Sequence, residues 1–78
     1  MTVLTRVFMN VLGISEEKVT DSLSPENESA WDSLNAIVLI TEIEHAFDIR
    51  FGYDEAMSVK NFGDAKRLIA AKGKNPDA

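Results

Sequence analysis

From Val3 to Leu12 the apolar residues Val3, Leu4, Val7, Phe8, Val11 and Leu12 form two adjacent ridges, each spaced four residues apart. That spacing gives a helix one apolar face, and it cannot serve a strand, whose faces alternate at every second residue. The same period returns in Ala36, Leu39, Ile40, Ile43 and Phe47, and again in Phe62, Ala65, Leu68 and Ile69. Strand-like alternation and internal repeats are absent. Each such helix must bury its apolar face against another, so a chain of 78 residues reads as one all-α domain, a small four-helix bundle. Without cysteine there is no disulfide and no thiolate ligand, and packing alone must hold the core. That usage fits a reducing cytosol, and a cytoplasmic protein is expected.

The boundaries follow from local chemistry. Gly13 comes directly after the last periodic residue of the first helix and is placed to cap it. Residues 14–31 then make a long first loop with some order of its own. Ser15 is expected to cap a helical turn, with Ile14 and Val19 as a hydrophobic staple around it. Ser24-Pro25-Glu26-Asn27 reads as a turn, and Leu23 and Trp31 as the anchors that pin the loop to the core. Asp32 is expected to cap a second helix running to about Phe47. Gly52-Tyr53 interrupts the chain, and Asp54-Glu55-Ala56-Met57 suggests a short third helix opened by acidic residues. Asn61 can cap the last helix, which would turn Lys66, Arg67 and Lys72 outward. Residues 73–78 read as a flexible tail.

Charge narrows the function. Between Glu16 and Glu55 there are 11 acidic and 2 basic residues, while Ala56 to Ala78 holds 2 acidic and 5 basic ones. An acidic middle argues against nucleic acid, whose phosphates need lysine and arginine, and favours a basic partner surface. The plainer reading is an acidic face kept for solubility. The N-terminal run MTVLTRVFMNVLG is too short and too interrupted, by Arg6 and Asn10, for a membrane span or a signal peptide. The chain is therefore expected to be soluble and unprocessed, without a membrane partner.

At 100° per residue the second helix sorts into two faces. Ala36, Leu39, Ile40, Ile43 and Phe47 should face the core; Leu34, Val38, Thr41 and His45 lie opposite, flanked by Ile37 and Glu42. Three branched apolar residues then point where water is expected, rimmed by acids, which describes a docking surface. The competing reading is that the long loop covers Leu34 and Ile37 and makes them ordinary core. Ser33 stands at the mouth of this helix. It cannot be a self-activated nucleophile, because the one histidine, His45, lies 12 residues along the same helix, roughly 18 Å away. No G-x-S-x-G elbow or glycine-rich phosphate loop is present. Of Glu42, Glu44 and His45, only Glu42 and His45 come close to sharing a face at metal-ligand spacing, and two residues do not make a site, so no metal site is expected. What Ser33 has is position: free N–H groups and the helix dipole favour an anion there. On chemistry alone, an attachment point and a tolerated serine behind a good cap are both open.

Asp32-Ser33-Leu34, opening an amphipathic helix, resembles the modification motif of acyl carrier proteins. The likeness widens to AWDSLNAIVLITEIEHAFDIRF, then to Asp54-Glu55-Ala56 and SVKNFGDAKRLI, and covers the chain from about residue 3 to residue 72. The resemblance implies a 4′-phosphopantetheine arm on Ser33, transferred from coenzyme A by a phosphopantetheinyl transferase, with acyl groups carried as thioesters. It implies that Asp32 and Leu34 belong to the transferase-recognition motif, and that Ile37, Val38, Glu42, Glu44 and His45 complete the partner-recognition face. It also implies a loading ligase or acyltransferase, synthase partners and a monomeric protein that is not itself an enzyme. The chain departs from fatty-acid-synthesis members at Asn35, Val38 and His45, where acids are typical, and carries Trp31 before Asp32. Both features resemble a discrete carrier of polyketide or other specialised metabolism.

Two neighbouring readings stay open. One is an amino-acyl carrier, either peptidyl or alanyl; the peptidyl kind typically has Gly-Gly before the serine, where this chain has Trp-Asp. The other is a helical binding module that keeps the fold without the arm and works through the face of Leu34, Val38 and His45.

Overall fold

The computed structural model describes residues 1–78, and they fold into four α-helices and no strand. These are α1 (Val3–Leu12), α2 (Ser33–Phe47), α3 (Tyr53–Met57) and α4 (Phe62–Ala71), with a short 3-10 turn at Glu16–Lys18 between α1 and α2. The radius of gyration is 11.2 Å; a compact chain of this length should have about 11.5 Å.

Each long helix is bounded by its own caps. Thr2 accepts the Thr5 N–H at the start of α1, Asp32 accepts that of Asn35 at the start of α2, and Asn61 accepts that of Asp64 at the start of α4. Gly13 closes α1 in the left-handed region, at φ 66°, where the missing Cβ removes the strain. Asp48 closes α2 the same way at φ 54°. Aspartate is among the few side chains that tolerate this geometry, and no glycine marked the position. Ser15 sits at the head of the 3-10 turn as expected, but its side chain makes no capping bond. Ile14 and Val19 pack against the core on either side of it.

The core is wholly apolar. One ridge of α1, Leu4, Phe8 and Leu12, is buried, whereas Val7 and Val11 are half-buried and Val3 is exposed. The two ridges are therefore unequal, one central and one at the margin. Leu39, Ile43 and Phe47 come from α2, and Phe62, Ala65 and Ile69 from α4. Leu23 and Trp31 complete it from the connection, as the sequence suggested. Phe8 lies edge-on to both Trp31 and Phe62, with ring centroids 5.3 Å and 4.9 Å apart. Such pairs add about 0.5–1.5 kcal/mol each beyond the area they bury.

The connection is also tied by its backbone. The Phe62 N–H donates to the Leu23 carbonyl at 2.9 Å and the Gly63 N–H to the Asp21 carbonyl at 3.1 Å. A Cβ on Gly63 would stand 3.4 Å from that same Asp21 oxygen, so glycine permits the close approach. At the other end of the chain the Val3 N–H donates to the Ala78 carbonyl at 2.9 Å. No helix is long and apolar enough to cross a membrane.

The short α3 buries no residue, and a helix of this length has no stability of its own. Its fixed point is Glu55, whose carboxylate accepts the Gly52 N–H at 2.8 Å and pairs with Lys72 at 2.9 Å. The Lys72 hydrogen bond, followed by that of Gly52, holds the Glu55 carboxyl below the usual carboxylate range. A carboxyl depressed in the folded state contributes stability that is complete above its unfolded value, about 4.3, and is lost as the pH falls through the folded value. Acidification should therefore weaken the tie between α3 and α4 as the pH falls through that folded value. Glu55→Gln should flatten that acid limb, read by amide hydrogen exchange at Ala56 and Ser58.

Candidate functional site

The mouth of α2 is set by three bonds. Asp32 Oδ1 accepts the Asn35 N–H at 2.8 Å, and the Asn35 side-chain amide donates back to the Ala30 carbonyl at 2.8 Å. The Ala36 N–H closes the first turn on the Asp32 carbonyl at 2.9 Å. Together they fix Ala30 to Ser33 against the helix end, while Trp31 anchors the same residues from inside. Ser33 is exposed, and the N–H groups of Ser33 and Leu34 have no protein acceptor. Their free donors add to the positive end of the helix dipole.

Beside Ser33 runs an open groove of about 480 Å³. The connection contributes Pro25, Glu26 and Trp31 to its walls, α2 contributes Ser33 and Ala36, and α3 with the residues after it contributes Met57 and Lys60. No histidine lines the groove, and His45 is held away by the unbroken α2. Nor do any three histidine or acidic side chains converge as metal ligands. The arrangement offers an accessible hydroxyl, free amide donors and a channel of mixed polarity. Glu26, Asp32 and Lys60 are the titratable side chains that line the groove with Ser33.

The outer stripe of α2 lies open. Leu34 is 69% exposed, Ile37 65% and Val38 37%, so the connection does not cover Leu34 or Ile37. Glu42 and His45 are exposed on the same helix. Glu44 stands apart: it is half-buried and its carboxylate accepts the Phe51 N–H at 2.8 Å, which pins the turn between α2 and α3. Ala36 and Ile40 sit half-buried on the inward side with Leu39, Ile43 and Phe47. The bases of α4 are engaged internally, Lys66 with Asp21 at 2.8 Å, Arg67 with Asp64, and Lys72 with Glu55. Their charge is largely neutralised at home, and the uncompensated acids lie elsewhere.

Three parts of the site carried no sequence signal. The groove walls at Pro25, Glu26, Met57 and Lys60 come together only through packing, and the turn, short helix and family-like run in which they fall gave no sign of it. The bonding of Asn35 to Ala30 and of Glu44 to Phe51 crosses five and seven residues, outside any helical spacing.

Asn35→Asp should cost roughly 1–2 kcal/mol, because a carboxylate then faces the Ala30 carbonyl without a donor and stands beside Asp32. Urea unfolding at pH 7 measures it, and the part of the cost that comes from the missing donor to the Ala30 carbonyl should remain when Asp32 is also replaced. A search against known protein-family models finds no match to this chain.

Proposed function

We propose that the chain is an acyl carrier protein, a four-helix carrier bundle with a long first loop, and that Ser33 is its attachment point. The observation that carries the reading is an exposed serine hydroxyl at the mouth of α2, beside a groove and two unpaired N–H groups, with no histidine lining that groove. A serine so placed is open to another enzyme and inert by itself. The Asp32-Ser33-Leu34 motif and its resemblance to the carrier family agree with this.

In this reading Ser33 Oγ attacks the phosphorus of coenzyme A that bears the pantetheine. A new oxygen–phosphorus bond forms, the bond to adenosine bisphosphate breaks, and the hydroxyl proton passes to a base on the phosphopantetheinyl transferase. The 4′-phosphopantetheine arm supplies a terminal thiol that holds acyl groups as thioesters. The free N–H groups of Ser33 and Leu34 stabilise the new phosphodiester charge. Asp32 and Leu34 present the serine to the transferase. Ile37, Val38, Glu42 and His45 meet the loading ligase or acyltransferase and the synthases, while Glu44 acts by holding the α2–α3 turn. Tethering keeps the cargo at high local concentration, and modest, charge-steered contacts let partners exchange. The apolar stripe and Trp31 favour a discrete carrier of polyketide or other specialised metabolism, and the cysteine-free sequence fits a cytoplasmic one.

Incubation with coenzyme A, Mg²⁺ and a broad-specificity phosphopantetheinyl transferase should add one phosphopantetheine by intact mass, and Ser33→Ala should add none. A binding module without the arm would show no increment and would keep its partner when Ser33 is alanine. Val38→Glu should weaken pairing with partner enzymes while changing stability by no more than about 0.5 kcal/mol, as expected for a surface position.

A further inference from the structure

The groove beside Ser33 does not end at a solid wall. Behind it lies a second space lined only by apolar residues, among them Phe8, Leu39, Ile40 and Ile43, and its volume is about 20 Å³. That is room for about one water molecule, not for a chain of methylenes. The two spaces share Trp31, Ala36, Ala56 and Val59. Of these four, Trp31 is by far the largest and the only one fully buried, at 4% exposure. Its indole is held edge-on by Phe8, itself completely buried. The side that faces it is built differently: Ala56 lies on α3, which contributes nothing to the buried core. The indole is thus the bulkiest of the four side chains that stand at both the open groove and the apolar interior.

We infer that Trp31 is a specificity-determining residue that keeps the cargo out of the core, so that the protein carries short acyl groups whose tails end within the outer groove. This inference rests on the carrier reading of Ser33. A short acyl group loses little by staying in the groove, whose rim also carries Glu26, Asp32 and Lys60. A long alkyl chain gains from burial with every methylene, and the indole denies it that gain. Removing the indole side chain should join the two spaces and admit the longer chain.

The test loads Ser33 from acetyl-coenzyme A and from octanoyl-coenzyme A with the transferase, then follows cleavage of each thioester by hydroxylamine through intact mass. In the unaltered protein the two rates should agree within about twofold, since no methylene is newly buried. The emission of Trp31, the chain's single tryptophan, should be the same in both forms. In Trp31→Val, or in the milder Trp31→Phe, the octanoyl thioester should become at least about fivefold slower than the acetyl one, the effect of burying little more than one methylene. Circular dichroism establishes which variants fold. The inference is overturned if the unaltered protein already shields octanoyl by that margin, or if Trp31 emission shifts with octanoyl alone. It is equally overturned if a folded variant treats both cargoes alike. Should neither variant fold, the cleavage rates and emission of the unaltered protein decide. Failure of the carrier reading shows itself earlier and differently, as no mass increment at all, and removes this inference with it.

Discussion

Phe8 is the residue on which the rest of the structure converges. Its ring is wholly buried and meets Trp31 on one edge and Phe62 on another. Those three aromatics come from α1, from the connection and from the first position of α4, segments far apart in the chain. Trp31 is directly followed by Asp32 and Ser33, so the packing that closes the core also decides where the serine stands. The site begins where the core ends, at the buried Trp31. Truncating Phe8 would cost about 3–5 kcal/mol by the usual cost of such cavities, a large share of what a chain this small can possess.

Polar bonding then refines what packing sets. Every long helix has a side-chain N-cap, and the mouth of α2 has Asn35 as well, reaching back to Ala30. No polar side chain is buried. The polar work is done at the surface, where each hydrogen bond fixes a direction at low cost in desolvation. Ion pairs follow the same logic. Three bases near the end of the chain hold the connection, the start of α4 and α3 in place; exposed pairs of this kind contribute little energy individually. Their larger effect is on the field, since they compensate acids locally, whereas Glu42 of α2 stays exposed.

Much of this was legible in the sequence because it is local. The period of four in Leu4, Phe8 and Leu12, the glycine at position 13, and the caps at Asp32 and Asn61 each depend on residues within one or two turns. They located the helices to within a residue or so. The inward face of α2 followed from its period, and the exposure of Leu34 and Ile37 settled which of two readings of the outer face holds. What escaped is what tertiary packing creates. Val3 shares the spacing of its neighbours but lies at the margin, since a spacing gives the direction of a face and not how far the core extends. Glu44 reads as a surface acid until the turn to Phe51 brings an N–H to it. Asp48 takes a left-handed cap that composition would assign to glycine. The groove has no sequence signature, because its walls come from three segments that only the folded chain brings together.

In the proposed function the mouth of α2 carries a covalent group on Ser33 and lays it in the adjoining groove. Amide NMR spectra of the chain before and after treatment with coenzyme A and the transferase test this. Shifts are expected to concentrate at Ser33 and Leu34 and along the groove at Met57, Val59 and Lys60, with Leu4 and Ile69 unmoved. Spectra that remain superimposable, or that change away from the mouth of α2, would contradict it.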